Sequence, residues 1–446
     1  LTAASLGAFG INAWAARLSS LLAATACALS LYHFLWRWSG YAHARAALLV
    51  LLTAPFFYGG AQFANLDMLV AACISGTILC AAHAVLGASD ATRPSRPALA
   101  GAYALAALGL LAKGLIGIVI PAIVIGIWLV LLGRPWMILR LVWLPGVALF
   151  AVIGLPWFLL IQARYPDFFS YFFVHHHFER FAAQGFNNRQ PFWFLAAVFA
   201  ALTLPWSPFL VGAARAYPQS VGRSRQVQAL MWIWLISTLV FFSIPNSKLI
   251  GYVMVALPPL GALAAKGLLC AAGTPARART WAMRAAAGAV AICATMLIVV
   301  DVREEARDNT RRLAAQLRPL LTSPADPLVV LYSYPFSLPF YLGHPPPLRV
   351  VENWRDSRVM LKDSWRRELY EAAAFDPDLG KALLLAPEDM PQFLTCATRP
   401  VWLIVASASE AKLPKIGLEP VAQVGNDRVW RKMPSMPSGP PGDCAP

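Results

Sequence analysis

The sequence predicts a polytopic α-helical membrane protein of about ten spans, with a small α/β domain at its C-terminal end. Three observations predict it. The 446 residues are 58% hydrophobic and 13% charged, about half the charged content of a soluble chain. Apolar runs recur through residue 300. The charge pattern then changes: residues 1–300 hold 19 Lys+Arg against four acids, whereas residues 301–446 hold 18 against 18. With a mean hydropathy of +0.57, a soluble enzyme, a disordered chain and a fibrous repeat are excluded. The two parts read as one segment dissolved in lipid (1–300) and one in water (301–433). A Pro/Gly/Ser-rich tail, 434–446, reads as disordered.

The spans follow from length. A bilayer core of about 30 Å takes about 20 helical residues. From Pro97 to Gly133 the only charge is Lys113. As one helix that stretch would be roughly 55 Å long, so it must fold back, and Lys113-Gly114 is the polar turn available. The same reasoning places spans at 14–34, 46–60, 68–88, 98–112, 115–133, 141–160, 193–213, 228–245, 250–270 and 283–300. They are helices because lipid satisfies no backbone polar group.

Basic residues set the orientation. Thirteen fall in one set of connections, including Arg37, Arg93, Arg134, Arg215, Arg225 and Lys266. Six fall in the other: Arg17, Lys113, Arg164, Arg180, Arg189 and Lys248. The first set is expected in the cytoplasm. The N-terminus, the loops near 60–67, 161–192 and 245–250, and everything after 300 are then outside. Asp67, Asp167 and Glu179 share that outer side, and only Asp90 is inside. Sparse acids with several bases at one membrane face suit a substrate that carries phosphate. Snorkelling at helix ends is the plainer account of each base, and it covers Arg17 better than Lys113. The sequence begins at Leu1 without Met, and a further N-terminal segment is expected to precede it.

Five of the seven cysteines fall in or beside spans and read as small hydrophobes. Cys396 and Cys444 fall in the outer domain, where a disulfide is chemically allowed. Strands are expected at Leu328–Tyr332, Leu348–Val351, Ala382–Leu385 and Val401–Val405. A hairpin should join Pro420–Val424 to Arg428–Arg431 across Gly425-Asn426-Asp427. Helices are expected near 302–320 and 356–375. The domain shows no Gly-rich phosphate loop and no triad spacing, so its expected role is structural or substrate-shaping.

Residues 162–192 are the most informative outer segment. They read QARYPDFFSYFFVHHHFERFAAQGFNNRQPF, aromatic but not span-like, which suits a segment in the interface plane. As a helix, His177 would share a face with Arg180 at i,i+3, and His176 with Arg180 at i,i+4. That directs imidazole and guanidinium groups to headgroup level. An ordinary aromatic belt explains the rings alone; His, Glu and Arg together favour a site. The cluster His175–Glu179 is also a candidate for a divalent metal, with His177 and Glu179 as ligands. No other cofactor is indicated. Asp67, in YGGAQFANLDMLV, starts an apolar run, where the helix dipole favours an acid. Its scarcity and its place at a costly boundary favour catalysis. Lys248, in IPNSKLIGY, precedes Tyr252 by four residues and can neutralise phosphate as a point charge. Arg189, before Pro191-Phe192-Trp193, admits the same reading, as does Lys113.

Together these segments resemble the bacterial branch of the GT-C glycosyltransferases, the group of the dolichyl-phosphate-mannose protein mannosyltransferases and the lipid A aminoarabinose transferases. The elements, in order, are GINAWAARL, FANLDM, LLAKG, HFERF, RQPFW, LPW at Leu204–Trp206, SKLIGY, and LPFYLG at Leu338–Gly343. The resemblance implies transfer of a sugar, 4-amino-4-deoxy-L-arabinose being the one considered, from an undecaprenyl-phosphate carrier. The acceptor would be lipid A or a related glycolipid at the outer face of a bacterial inner membrane. It implies that Asp67 is the acidic residue of the second outer loop, and that His177, Arg180, Lys248 and Tyr252 line the lipid-phosphate pocket. Two departures stand out: the family's acidic motif of the first outer loop is expected before the first span seen here and is absent from this sequence, and His176 stands where many relatives carry Glu. A protein O-glycosyltransferase of the same fold is the nearest alternative. A polyprenyl-lipid transporter is disfavoured, because no span carries the paired charges of a proton relay.

Overall fold

The computed structural model describes residues 1–88, 93–172, 188–307, 309–321, 323, 326–343, 348–356, 358–361 and 364–434; of 301–307, 309, 360 and 361 it describes the backbone alone. The chain divides into two compact units, the first running to Ile298 and the second beginning at Val299.

In the first unit, α1 (Thr2–Phe9) leads to α2 (Ala13–Ser39). Asn12 caps α2 by accepting the Ala15 N–H at 2.8 Å. Next come α3 (Tyr41–Thr53) and α4 (Pro55–Gln62), which bend by 62° where Pro55 starts the second helix. After them come α5 (Asp67–Leu86), α6 (Arg96–Lys113), α7 (Ile116–Leu131), the short α8 (Met137–Leu141) and α9 (Leu144–Arg164). The helices Phe194–Leu202, Phe209–Ala216, Gly222–Ser243, Leu257–Ala272 and Pro275–Arg307 complete the apolar part.

Six helices are long and apolar enough to cross a membrane, or seven if the bent α3–α4 pair is one span. The chain is thus a multi-pass membrane protein. The ten apolar segments expected from the sequence all fall on helices, but not all on single long ones. Segment 46–60 is the bent pair, and segment 193–213 is two short helices around a cis Leu204-Pro205 bond. Segments 98–112 and 115–133 are α6 and α7, and the turn between them is the expected one. Lys113 ends α6, and Gly114 follows at φ 80°, a backbone state favoured by glycine.

Burial separates central from peripheral helices. In α5, 78% of the apolar window is buried, and in Ile250–Ala272, 83%. The corresponding shares are 17% for α9 and 11% for Pro275–Val300, so these two present most of their surface outward, to lipid. Helix association in lipid gains little from apolar burial and relies on close packing of small residues. Two such crossings occur. Gly109 of α6 and Gly117 of α7 meet backbone to backbone, a Cβ at Gly109 reaching 3.1 Å from Gly117 Cα. Gly212 and Gly267 do the same for Phe209–Ala216 and Leu257–Ala272.

The second unit is a six-stranded sheet in the order β3-β2-β1-β4-β6-β5. Its strands are β1 (Leu328–Leu331), β2 (Leu348–Val351), β3 (Leu384–Leu385), β4 (Val401–Ala406), β5 (Glu419–Val424) and β6 (Asp427–Lys432). The first four pair in parallel, and β6 and β5 add an antiparallel edge. Alternate residues enter two cores. Leu328, Val330, Trp402 and Ile404 pack on one face, and Val329, Leu331, Leu403 and Val405 on the other. Burial on both faces is why these strands are apolar throughout. The expected hairpin and strands are present, except that of Ala382–Leu385 only Leu384–Leu385 is strand, because Ala382 and Leu383 close the helix Pro377–Leu383. The hairpin turn is Gly425-Asn426, with Asp427 already paired to Val424. Helices Asn309–Leu317 and Trp365–Phe375 fall within the expected helical stretches. Cys396 is disulfide-bonded; Cys444 lies outside the described residues.

The glycine crossing gives a first test. Gly117→Leu forces α6 and α7 apart and should lower stability by about 1–3 kcal/mol. Thermal unfolding of the detergent-purified protein should show a lower midpoint than for Gly126→Leu, a site with open space around its Cα.

Candidate functional site

The helices α5 and α6 form an antiparallel pair. Gly76 meets Leu105, Cys80 meets Gly101, and Cys73 meets Gly109. The first residue of α5 and the last of α6 therefore lie at the same level. Those residues are Asp67 and Lys113, and they form an ion pair between Asp67 Oδ1 and Lys113 Nζ. The helix ends favour these signs: a carboxylate at the N-terminus of α5 and a cation at the C-terminus of α6.

Three further elements fix the pair. The Asn65 side-chain amide donates to Asp67 Oδ2 at 3.1 Å, while the Asp67 backbone N–H donates to Asn65 Oδ1 at 3.1 Å. Gly251, in the 3-10 turn Ile250–Ala256, packs so closely on Asp67 that a Cβ there would overlap the carboxylate. Lys113 Nζ also stands 5.3 Å from the centroid of Tyr252, a cation–π distance. The Tyr252 ring stacks on Phe242 at 4.6 Å.

Asp67 borders a cavity of about 320 Å³ lined also by Phe56, Gly60, Phe63, Asn65, Gly251 and Met254, among others. Asp67 and Lys113 keep 18% and 29% of their side-chain surface. The cavity wall is mostly apolar and presents one carboxylate, held by a cation and an amide. Such an arrangement can orient a polar group of a ligand whose remainder is apolar.

The expected residues are thus partly gathered. Asp67, Lys113 and Tyr252 meet. Lys248 lies three residues before Gly251 in the same connection and is 4% exposed. Its ammonium donates to the carbonyls of Gln190 at 2.8 Å and Pro245 at 2.6 Å. These bonds use two of its three donors and tie 188–190 to 245–248, along with a bridge between Arg189 and Ser247. Arg189 itself is exposed. His177, Glu179 and Arg180 lie outside the described residues. Among the described residues, no group of three His, Cys, Asp or Glu side chains could hold a metal ion. The start of the aromatic segment is described, and there Phe168 stacks on Phe172 at 5.4 Å and meets Trp157 edge-on at 5.6 Å.

Sequence reasoning missed Asn65 and Gly251, although both stand in strings it singled out. An Asn two residues before an acid at a helix start is a local hydrogen-bonding signal and could have been read. The Gly251 contact joins distant segments and left no local sign.

The ion pair is open to a double-mutant cycle. Asp67→Ala and Lys113→Ala should show a coupling of about 1 kcal/mol in thermal or denaturant unfolding of the detergent-solubilised protein. Strict additivity would deny the pairing.

Residues 1–159 match the family model described as dolichyl-phosphate-mannose-protein mannosyltransferase. A Pseudomonas fluorescens protein, undecaprenyl phosphate-alpha-4-amino-4-deoxy-L-arabinose arabinosyl transferase 2, is 31% identical over 278 residues, 60% of this chain and 46% of its own length. The Erwinia tasmaniensis transferase of the same type is 30% identical over 295 residues, 65% of this chain and 52% of its own. The chain therefore spans about half the length of the curated relatives it matches. The crystal structure of ArnT from Cupriavidus metallidurans bound to undecaprenyl phosphate superposes with a TM-score of 0.78 at 23% identity, covering 98% of this chain and 87% of that one. In sequence over part of its length the chain is similar to these undecaprenyl phosphate-aminoarabinose arabinosyl transferases, and over nearly all of its length it shares the fold of the ArnT crystal structure.

Proposed function

We propose that the protein is an inner-membrane glycosyltransferase that moves a sugar, with 4-amino-4-deoxy-L-arabinose as the leading candidate, from an undecaprenyl-phosphate carrier to lipid A or a related periplasmic acceptor. The observation that carries this reading is the Asp67–Lys113 pair, held by Asn65 and Tyr252 beside a cavity with apolar walls. The identity to arabinosyl transferases supports the sugar and the carrier.

In such a transfer the bond from the anomeric carbon to the carrier phosphate breaks. The polyprenyl phosphate leaves with the electron pair, and an acceptor oxygen bonds to the anomeric carbon. Cationic side chains would stabilise the leaving phosphate; Lys113, Arg180, Arg189 and Lys248 are the residues assigned. An acceptor phosphate is largely ionised at neutral pH and needs no strong base. Asp67 would then orient the acceptor or stabilise positive charge developing on the sugar. His177 and Glu179 remain the proposed ligands of a divalent metal; metal analysis of the purified full-length protein that finds none would remove that assignment.

Sugar transfer measured in membranes from cells expressing the full-length gene tests the site. Asp67→Asn and Lys113→Met should each lower transfer by roughly 10²-fold or more. Gly251→Ala, which displaces the carboxylate, should lower it by about 10-fold. Normal transfer by both Asp67→Asn and Arg180→Ala would remove the site assignment. The match to protein mannosyltransferases over residues 1–159 favours a second reading, protein O-glycosylation. A periplasmic glycoprotein lost on gene deletion, with lipid A unchanged, would select it. The charge bias of the connections supports a periplasmic position for the site and the second unit. Alkaline phosphatase fused after Met433 should therefore be active, and an inactive fusion would reverse the orientation.

A further inference from the structure

The second unit carries a crevice of about 710 Å³, within the range of roughly 300–1,000 Å³ typical of small-molecule sites. Its position follows from the sheet. Tyr332, Glu352 and Ser409 follow the carboxyl ends of β1, β2 and β4, and Pro387 follows that of β3. The strand order runs from β1 through β2 to β3 on one side and to β4 on the other. In open parallel sheets, ligands bind where the order reverses, outside the carboxyl ends.

The lining is polar, and much of its hydrogen-bonding capacity is unused. Among the described residues, no protein hydrogen bond engages the Tyr332 hydroxyl, the Asn353 amide, the Ser409 hydroxyl or the Lys412 ammonium. Lys412 instead stands 4.0 Å from the Tyr332 ring centroid and has no carboxylate partner there. Glu388 pairs through Oε1 with Arg355 at 3.1 Å, leaving Oε2 available. Glu352 is 8% exposed and fixed, bonded to Arg366 and to the Asn353 N–H at 3.0 Å. A phenol is protonated at neutral pH, so the Tyr332 O–H is a donor; burial, with Glu352 and Glu388 nearby, pushes its pKa further up. Tyr332 also has φ 54°, a strained left-handed backbone of the kind that is often kept at binding sites. Arg366 is held from behind the lining by Trp365, whose ring it covers at 4.6 Å and which is stacked with Tyr334 at 6.3 Å and edge-on to Trp354 at 6.3 Å.

We propose that this crevice binds a saccharide bearing a phosphate group, free or as a lipid headgroup. The hydroxyls would meet Glu388, Asn353, Ser409 and Tyr332, and the phosphate would meet Lys412. Other occupants fit less well. A bare divalent cation would face Arg366 and Lys412. An apolar ligand would strand the polar lining. A neutral sugar would leave Lys412 unpaired. The inference does not rest on the transfer reaction assigned to the first unit.

The test is calorimetric titration of the full-length protein in nanodiscs with glucose 6-phosphate, glucose and inorganic phosphate. A parallel arm uses vesicles carrying lipid A. Glucose 6-phosphate should bind at least about 10-fold more tightly than glucose or inorganic phosphate. Lys412→Met and Glu388→Gln, both at exposed positions, should each weaken it about 10-fold without lowering the thermal midpoint. Asp67→Asn should leave it unchanged, which separates this site from the membrane cavity. Binding to lipid A vesicles alone, with the same sensitivity to Lys412→Met, assigns the headgroup as the ligand. Equal binding of inorganic phosphate, indifference to Lys412→Met, or no binding in either arm overturns the proposal.

Discussion

A charged side chain at the edge of a bilayer is stable only if its partners are built into the fold, and the Asp67–Lys113 pair is where this chain meets that condition. The two residues are 46 positions apart, so only the antiparallel packing of α5 and α6 brings them to one level. The turn at Gly114 places Lys113 at the end of its helix rather than inside a span. Asn65 and Tyr252 then complete the surroundings of the two charges from two other segments. Moving any one of these elements would leave a charge poorly compensated in a medium that solvates it weakly.

The same medium explains how the helices meet. Lipid gives little drive for apolar faces to associate, so close approach is obtained where side chains are absent. The Gly109–Gly117 and Gly212–Gly267 crossings serve this purpose, and Gly251 does so at the site itself. Polar contacts add a second layer. Lys248, buried but bonded to two carbonyls, holds 188–190 against 245–248. It therefore has a structural part, beside the phosphate-binding part proposed for it.

The second unit is built on the opposite principle. Its sheet is covered on both faces by apolar residues, and water supplies the driving force. Polar groups collect where the parallel strands end, because the strand termini leave the core there. A fold that gathers Lys412, Glu388 and Tyr332 in one crevice has more than a spacer's equipment, which extends the structural or substrate-shaping role expected from the sequence.

Much of the architecture was legible in the sequence. The apolar runs, the charge division near residue 300, the Lys113-Gly114 turn and all six strands are local patterns, because helix and strand periodicity and turn chemistry act over a few residues. Asp67 stood out by its type and scarcity, Lys113 as the only charge in a long apolar stretch, and Tyr252 through the family resemblance. What the sequence did not determine was which of them meet. The pairing of Asp67 with Lys113, the pressure of Gly251 on the carboxylate, the use of Lys248 on backbone carbonyls and the crevice beyond β1–β4 all join segments far apart in the chain. Such contacts depend on helix register and packing distance, set by the whole fold at once, so only the tertiary structure could decide them.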